Sequence, residues 1–231
     1  SVALLRDKLD QYIYDQKLED LEFVDETVEI IEGHIPITYN GSVHSIIKFF
    51  QNEGKISIQE WLNRTDRFKK IILPILEQED VPPELFYLAM IESGLNSTAY
   101  SYAHASGVWQ FISSTGKMYG LNRSYHIDER LDFEKSTRAA ARYLKDLYAE
   151  FDDWYLAFAA YNSGSGRVQK AISRHDTRDY WKLYSLPKET QNYVPNIMAA
   201  IFISMDPEKY GFNVHPYPDL EWRVIEIDKS K

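Results

Sequence analysis

Glu92 is the residue of this chain whose type and surroundings point most directly to acid–base chemistry. It is the only acidic residue between Leu85 and Ile127, and it follows the apolar run of residues 85–91. Apolar surroundings disfavour the charged form of a carboxylic acid and raise its pKa, and an acid that stays protonated near neutral pH can donate a proton to a departing sugar oxygen. The alternative is a helix-end glutamate that caps the helix or forms an ion pair, and this stretch alone leaves both interpretations open.

Three further polar clusters lie beside apolar segments. In residues 107–111, Trp109 offers a flat apolar face and Gln110 two-way hydrogen bonding, a mixture that suits a sugar; a core tryptophan at a loop–helix junction is the alternative. Residues 161–164 end an all-apolar segment, where polar groups must find partners or line a cleft. Residues 189–194 form the third polar cluster, near the start of the last long predicted helix, and an ordinary capping pattern with solvated polar residues is the alternative.

Other chemistries find no support in the sequence. His104 and His126 have no metal-ligand spacing to any partner. The absence of cysteine excludes disulfides, thiol catalysis and cysteine metal sites. No phosphate-binding loop, dinucleotide-binding glycine pattern or serine nucleophile elbow occurs. We therefore expect neither a metal nor a cofactor.

Helices must position these residues, because the apolar spacing is helical almost throughout and predicts an all-α fold. The prolines at 82–83 and Gly94 predict the start and stop of a short core helix that carries Glu92. Further helices are predicted over roughly residues 1–20, 42–52, 57–64, 67–79 with a bend at Pro74, 113–120 with Ser113 or Ser114 as the cap, 133–151, 154–161 with Asp153 as the cap, 167–173 and 188–204 with a bend at Pro195, together with an extended connector at 34–42 and one short strand at 222–227.

Composition and charge narrow the class of protein. With 44% hydrophobic and 14% aromatic residues, the 231-residue chain is expected to fold as a globule, and no apolar run approaches the roughly 18 residues of a membrane span. Residues 1–33 contain ten acidic and three basic residues, so they hold −7 of the net charge of −9. The rest of the chain has no basic stripe, which argues against nucleic-acid binding. No signal-peptide pattern is present, so we expect any targeting segment to lie outside this sequence.

Five motifs, taken in order, resemble the lytic transglycosylase (SLT-like) domain of glycoside hydrolase family 23. The resemblance runs from Pro83 to about Ile203. It is carried by Glu-Ser at 92–93, Gly-Val-Trp-Gln at 107–110, Ser-Ser-Thr-Gly at 113–116, Ala-Tyr-Asn-Ser-Gly-Ser-Gly-Arg-Val at 160–168 and Glu-Thr-Gln-Asn-Tyr-Val at 189–194. The upstream residues 38–82 also resemble the subfamily of membrane-bound lytic murein transglycosylase D, which carries Trp, as at Trp109, where many relatives have Met.

The resemblance implies a fold, a domain organisation and a substrate. The expected fold is a lysozyme-like catalytic domain, related to goose-type lysozyme, over residues 81–205. A helical N-terminal region over residues 1–80 precedes it, and a tail over residues 206–231 follows. The expected partner is the peptidoglycan glycan strand, which places a bacterial enzyme in the periplasm or at the outer membrane. We expect a monomer.

The resemblance also implies roles for single residues. Glu92 matches the catalytic acid and base. Ser101 matches a serine that hydrogen-bonds near that carboxylate and the substrate, and Gln110 matches a glutamine that lines the cleft. The complete set of residues expected to contact the substrate is Ser101, Trp109, Gln110, Tyr161, Asn162 and Tyr193.

The spacing of acids along the chain distinguishes the possible mechanisms. Ordinary glycosidases hold two carboxylates about 5–5.5 Å or about 6.5–9.5 Å apart, whereas no second acid occurs in the 35 residues after Glu92. We therefore expect Glu92 to protonate the bond between N-acetylmuramic acid and N-acetylglucosamine, and then to deprotonate the muramoyl C6 hydroxyl, which gives a 1,6-anhydro product without water. The alternatives are a goose-type lysozyme-like hydrolase, which needs an acid such as Asp128 or Asp132 across the cleft, and a catalytically silent glycan-binding domain.

Overall fold

A computed structural model of the chain describes residues 5, 8, 9, 11, 26–28 and 34–221. Helices dominate this part, which confirms the all-α class. The described α-helices are α1 (Gly41–Gln51), α2 (Lys55–Gln78), α3 (Leu85–Ser93), α4 (Ser113–Met118), α5 (Phe133–Phe151), α6 (Trp154–Ser163), α7 (Ser165–His175) and α8 (Lys188–Met205).

Shorter elements connect the helices. Two three-residue strands, β1 (Glu26–Val28) and β2 (Ile37–Tyr39), pair antiparallel with Glu26 opposite Tyr39. The sequence predicted only an extended connector here, because three residues are too few to show the two-residue alternation of a strand. The 3-10 helices are Glu129–Leu131, Tyr180–Lys182 and Glu208–Tyr210.

The second helix differs from the sequence prediction. Residues 57–64 and 67–79 were predicted as separate helices, but they form the single helix α2. Between the two predicted segments, Thr65 is buried and its hydroxyl donates to the Trp61 carbonyl oxygen at 3.0 Å within the helix. Pro74 lies inside the same helix.

Two predicted helix caps have different outcomes. Asp153 caps α6 as predicted, since its carboxylate accepts from the Leu156 amide at 2.9 Å. The prediction of Ser113 or Ser114 as the cap of α4 is wrong: Ile112 precedes the helix without a side-chain cap bond, and Ser113 is already helical.

Two predicted elements lie wholly or mostly outside the described residues. The strand predicted over 222–227 is one of them. Most of the helix predicted over 1–20 is the other, although residues 5, 8, 9 and 11 are described and are helical.

One continuous cluster of buried apolar side chains extends from Leu5 to Phe212. Its centre contains α3, where only Tyr87 is not buried, and the middle of α6. Phe50 and Ile72 belong to the same cluster, so packing is continuous across the boundary predicted at residue 80. The two most apolar helices thus run through the core and carry their polar ends to its edge.

The described C-terminal residues pack back on α2. The amide of His215 donates to the Asn63 side-chain oxygen at 2.9 Å, and the amide of Tyr217 donates to the Asn63 carbonyl at 2.8 Å. The Tyr217 hydroxyl donates to a Glu60 carboxylate oxygen at 2.7 Å. Helix α2 therefore has one side against the core and another under the tail.

Helix α2 also holds the end of α3. Gly94 ends α3 in a left-handed conformation, with φ of 63°. A Cβ on Gly94 would lie 2.2 Å from Nε1 of Trp61, and Trp61 is buried. Arg64 Nη1 donates to the Gly94 carbonyl at 2.9 Å. The exit of the helix that carries Glu92 is thus set by two side chains of α2.

We expect Gly94→Ala to lower the free energy of unfolding by about 2–5 kcal/mol. A left-handed backbone costs a non-glycine residue about 1–2 kcal/mol, and overpacking against Trp61 adds about 1–3 kcal/mol. Gly120→Ala is the matched control, because Gly120 has φ of 86° with open space around its Cβ position. Urea unfolding measures both, and equal losses would contradict the close contact with Trp61.

Candidate active site

A carboxylate and a phenol meet at the ends of two helices. Glu92 lies in the last turn of α3, and only 8% of its surface is exposed. Tyr193, on α8, is 2% exposed, and its hydroxyl donates a short hydrogen bond to Oε1 of Glu92. The two residues are 101 positions apart in the sequence, so the packing of α3 against α8 forms the pair. A buried carboxyl group with a phenolic donor is an arrangement suited to proton transfer.

Tyr161 is a second phenol near the same carboxylate. Desolvation, and then the negative charge of Glu92, raise the pKa of Tyr161 well above its ordinary value. Its hydroxyl donates to the Trp109 carbonyl at 2.7 Å, and its ring contacts Phe111 and Tyr143. Tyr161 therefore stays a neutral hydrogen-bond donor throughout the physiological pH range.

Asn162 links the end of α6 to the start of α8. Its side-chain oxygen accepts from the Thr190 hydroxyl at 2.7 Å, and its side-chain nitrogen donates to Oε1 of Glu189 at 3.1 Å. Glu189 precedes Tyr193 by four residues in α8, so both lie on one face of that helix. In the sequence, Glu189 is compatible with a capping pattern, and its four-residue spacing from Tyr193 is the signal of a place at the site.

The loop between α3 and α4 is folded by its own polar groups. Gln110 has a left-handed backbone, with φ of 49°, and its side-chain nitrogen donates to the Gly107 carbonyl at 2.8 Å. The Ser101 hydroxyl accepts from the Ala105 amide at 3.1 Å. A left-handed residue other than glycine persists where the surroundings impose it, often at a functional site. The substrate contacts expected of Ser101 and Gln110 stay predictions.

Trp109 is a core residue, so the prediction that it offers a stacking face to the substrate is wrong. None of its surface is exposed, and its indole nitrogen donates to the Thr137 hydroxyl at 2.9 Å, inside α5. Because its indole nitrogen has a hydrogen-bond partner inside the protein, the ring can be fully buried without a lost hydrogen bond. Its backbone still reaches the site, because its carbonyl accepts from Tyr161.

Arg130 holds the loop in place and was missed by the sequence analysis. It is 2% exposed. Its Nη1 donates to the carbonyls of His104 and Phe111, both at 2.8 Å. Its Nε and Nη2 donate to the two carboxylate oxygens of Asp128 at 2.9 and 2.6 Å. In the sequence, Asp-Glu-Arg at 128–130 reads as a solvated charge cluster, and only the folded loop reveals the buried guanidinium.

The two acids considered for a hydrolytic mechanism have structural roles. The pairing of Asp128 with Arg130 holds the pKa of the Asp128 carboxyl below its usual range. The Asp132 carboxylate accepts from the Lys135 amide at 2.9 Å and caps α5. Both carboxylates are thus engaged in positioning backbone and Arg130.

Within residues 34–221 and the few described residues before them, no group of three His, Cys, Asp or Glu side chains is placed to hold a metal ion. No helix in this described part is long and apolar enough to cross a membrane.

Known protein sequences are similar to about half of this chain. A model of the transglycosylase SLT domain matches residues 69–184. Membrane-bound lytic murein transglycosylase D of Escherichia coli K12 is 43% identical over 141 residues, which cover 59% of this chain and 31% of that protein. A putative tributyltin chloride resistance protein of Alteromonas sp. (strain M-1) is 37% identical over 138 residues, which cover 58% of this chain and 63% of that protein. The chain spans about a third of the length of the first of these relatives.

Solved structures show the same fold. The 70 kDa soluble lytic transglycosylase SLT70 of Escherichia coli matches with a TM-score of 0.51 and 22% identity, over 74% of this chain and 31% of that one. The lytic transglycosylase Slt of Pseudomonas aeruginosa, as an inactive mutant, matches with a TM-score of 0.51 and 24% identity, over 66% of this chain and 25% of that one. The predicted lysozyme-like fold is confirmed as that of the SLT70-type proteins.

We expect Asp128→Asn to lower the free energy of unfolding at pH 7 by about 3 kcal/mol, because it leaves the buried Arg130 charge without its counterion. The pKa of Asp128 is lowered from 3.8 in the folded protein, so the stabilisation is present above pH 3.8 and is lost as the pH falls through the folded pKa. Urea unfolding of both proteins at pH 7 and at lower pH tests this. A difference that persists unchanged in acid would contradict the ion pair.

Proposed function

We propose that this chain, which belongs to the transglycosylase SLT domain family, cleaves the β-1,4 bond between N-acetylmuramic acid and N-acetylglucosamine in peptidoglycan and leaves 1,6-anhydro ends. Glu92 is the single acid and base in this proposal. The observation that carries it is the buried Glu92 carboxyl at the end of an apolar helix, hydrogen-bonded to the Tyr193 hydroxyl.

The first proposed step is protonation of the glycosidic oxygen. Protonated Glu92 gives its proton to the oxygen that links the two sugars, and the bond from that oxygen to C1 of the muramoyl sugar breaks. The N-acetylglucosamine side leaves with a free hydroxyl. The muramoyl N-acetyl oxygen shields C1, as in substrate-assisted glycosidases.

The second proposed step is closure of the muramoyl sugar on itself. The Glu92 carboxylate takes the proton from the C6 hydroxyl, and the C6 oxygen bonds to C1. This regenerates the carboxylic acid and consumes no water. The Tyr193 hydroxyl stabilises the carboxylate between the two steps, since a hydrogen bond to an ionised acceptor is stronger than one to a neutral acceptor.

The remaining site residues are proposed to bind and position the substrate. Tyr161 stays neutral and presents its ring beside Glu92, while Asn162 lies at the junction of α6 and α8. Ser101 and Gln110 lie in the loop held by Arg130. These four side chains are proposed to line the cleft around the scissile bond.

Two alternatives are less well supported. A hydrolase of the goose-lysozyme type needs a second acid to activate water, and Asp128 and Asp132 are engaged with Arg130 and the start of α5. Glu189 is another acidic residue close to these side chains, and its carboxylate accepts a hydrogen bond from Asn162. A silent glycan-binding domain has no need of a buried carboxyl with a phenolic donor, because burying an ionisable group costs stability.

The wider setting of this activity is also proposed. The substrate class places the protein in the periplasm or at the outer membrane, acting as a monomer on peptidoglycan strands. We propose residues 81–205 as the catalytic domain and residues 1–80 as a region that supports α3, in line with the contacts of Trp61 and Arg64 at Gly94. The tail from residue 206 is proposed to brace α2.

We expect Glu92→Gln to reduce turnover of peptidoglycan by about 10²–10⁴-fold, because general acid–base catalysis contributes a factor of that size. Glu189→Gln is the matched control: it keeps an acceptor oxygen for Asn162, so its turnover should stay within about tenfold of the wild type. Release of soluble muropeptides measures both rates, and circular dichroism confirms folding. A folded, fully active Glu92→Gln protein would remove Glu92 from the mechanism.

We expect the products to carry anhydro ends. Mass spectrometry of digested peptidoglycan separates the two chemistries, because a 1,6-anhydro end is lighter by one water than the reducing end that a hydrolase leaves. Products that consist only of reducing ends would overturn the proposed transglycosylase activity and favour a hydrolase. Glu189 would then be the next residue to test as the acid that activates water.

A further inference from the structure

Exposed aromatic and aliphatic side chains are concentrated in the segment between α3 and α5. In the part of the chain that the structure describes, seven of the ten exposed large apolar side chains lie within residues 100–131. Tyr102 and Tyr125 are 95% and 96% exposed. Apolar groups exposed singly are ordinary, whereas a cluster of them marks an interaction surface. We call the exposed side chains of Tyr100, Tyr102, Tyr125 and Ile127 the outer rim.

The outer rim belongs to the same folded unit as the site loop. Arg130 donates to the carbonyl of His104, two residues after Tyr102, and it pairs with Asp128, three residues after Tyr125. The loop that carries Tyr102 also carries Gln110. One buried guanidinium therefore joins the two loops that carry the rim, and the first of these loops also carries Trp109, whose carbonyl accepts from Tyr161.

Local contacts orient parts of the rim. The hydroxyl of Tyr100 and Nδ1 of His104 share a short hydrogen bond, and their rings meet edge to face with centroids 5.7 Å apart. The ring of Tyr125 meets that of His126 at 4.8 Å, also edge to face. A tyrosine has only two side-chain torsions, so it presents a large amphipathic face at low entropic cost. The rings of Tyr100 and Tyr125 are thus oriented by neighbouring histidine rings.

A glycan strand is the occupant that fits this surface. Sugar rings present apolar C–H faces and hydroxyl rims, and tyrosine combines an apolar face with a hydroxyl that can hydrogen-bond. The rim is continuous with the loop that lies beside Glu92, and a polymer cleaved at Glu92 must continue past that point. The position therefore favours the substrate strand itself over an unrelated protein partner.

We propose that Tyr102 and Tyr125 form an outer subsite that stacks on sugar rings beyond the pair held at Glu92, so that the chain binds long glycan strands more tightly than short ones. This inference rests on the proposed function for its choice of ligand. The two tyrosines determine strand-length preference and take no part in bond cleavage.

Binding to insoluble peptidoglycan tests the outer subsite without turnover. In a Glu92→Gln background, which leaves the strands intact, we expect Tyr102→Ala with Tyr125→Ala to raise the apparent Kd in co-sedimentation by about tenfold, in line with the loss of two aromatic contacts. The Kd for a GlcNAc–MurNAc disaccharide should not change. Both tyrosines are almost fully exposed, so the variant should keep its fold.

Two control variants separate stacking from other causes. Tyr102→Phe with Tyr125→Phe keeps both rings and should bind like the parent. Ile56→Ala removes a side chain that is 83% exposed at the start of α2, and it should also leave the Kd unchanged. An unchanged Kd in the double alanine variant, or an equal loss in the double phenylalanine variant, would overturn the proposal, as would a parent protein that does not sediment with peptidoglycan.

The same experiment keeps this inference apart from the proposed function. Wild-type products are examined separately for anhydro ends by mass spectrometry. Loss of binding in the double alanine variant together with anhydro products supports both proposals. Loss of binding with only reducing ends supports the outer subsite and overturns the transglycosylase chemistry.

Discussion

Burial of the Glu92 carboxyl is the constraint on which the rest of the site depends. Transfer of an ionised carboxylate into a protein interior costs several kcal/mol unless hydrogen bonds compensate. The compensation here includes the Tyr193 hydroxyl on α8, and it requires α3 and α8 to keep a fixed relative position. The apolar length of α3 supplies that position, because eight of its nine residues are buried.

The N-terminal region contributes to the site although it does not supply the acid. Trp61 and Arg64 close around Gly94, immediately after Glu92, and both precede residue 69, where the match to the family begins. The tail then braces the other side of α2 through Asn63. Residues outside the family match therefore determine how rigidly the end of α3 is held.

The buried Arg130 guanidinium holds the loop between α3 and α4. Arg130 gathers two carbonyls of the loop after Glu92, and Asp128 balances its charge. This explains why Asp128, the first acid after Glu92 in the sequence, is engaged in holding the loop. In the proposed mechanism, Glu92 acts alone, and Glu189 holds Asn162. The two roles differ because the first carboxyl is buried against a phenol and the second is exposed.

Local sequence signals were sufficient for much of the fold and for the helix that carries Glu92. The apolar run before Glu92, the left-handed Gly94 and the cap at Asp153 are determined by residues within a few positions of each other, so periodicity and capping rules find them. The same rules failed where a contact lies outside that range. Tertiary packing decides that Thr65 is buried in the middle of the continuous helix α2, and Trp109 has a side chain equally suited to a sugar or to the core.

Only the tertiary structure decided which of the candidate residues meet. The order of the motifs indicated that Tyr193 and Glu92 belong to one site, but their hydrogen bond depends on how α8 packs on α3. The burial of Trp109 and of Arg130 likewise depends on neighbours 28 and 19 residues away. The sequence by itself determined the apolar helix and the place of Glu92 in its last turn, because both are local. The partners of that acid, and the residues that hold its loop, were decided by long-range packing, which no local pattern encodes.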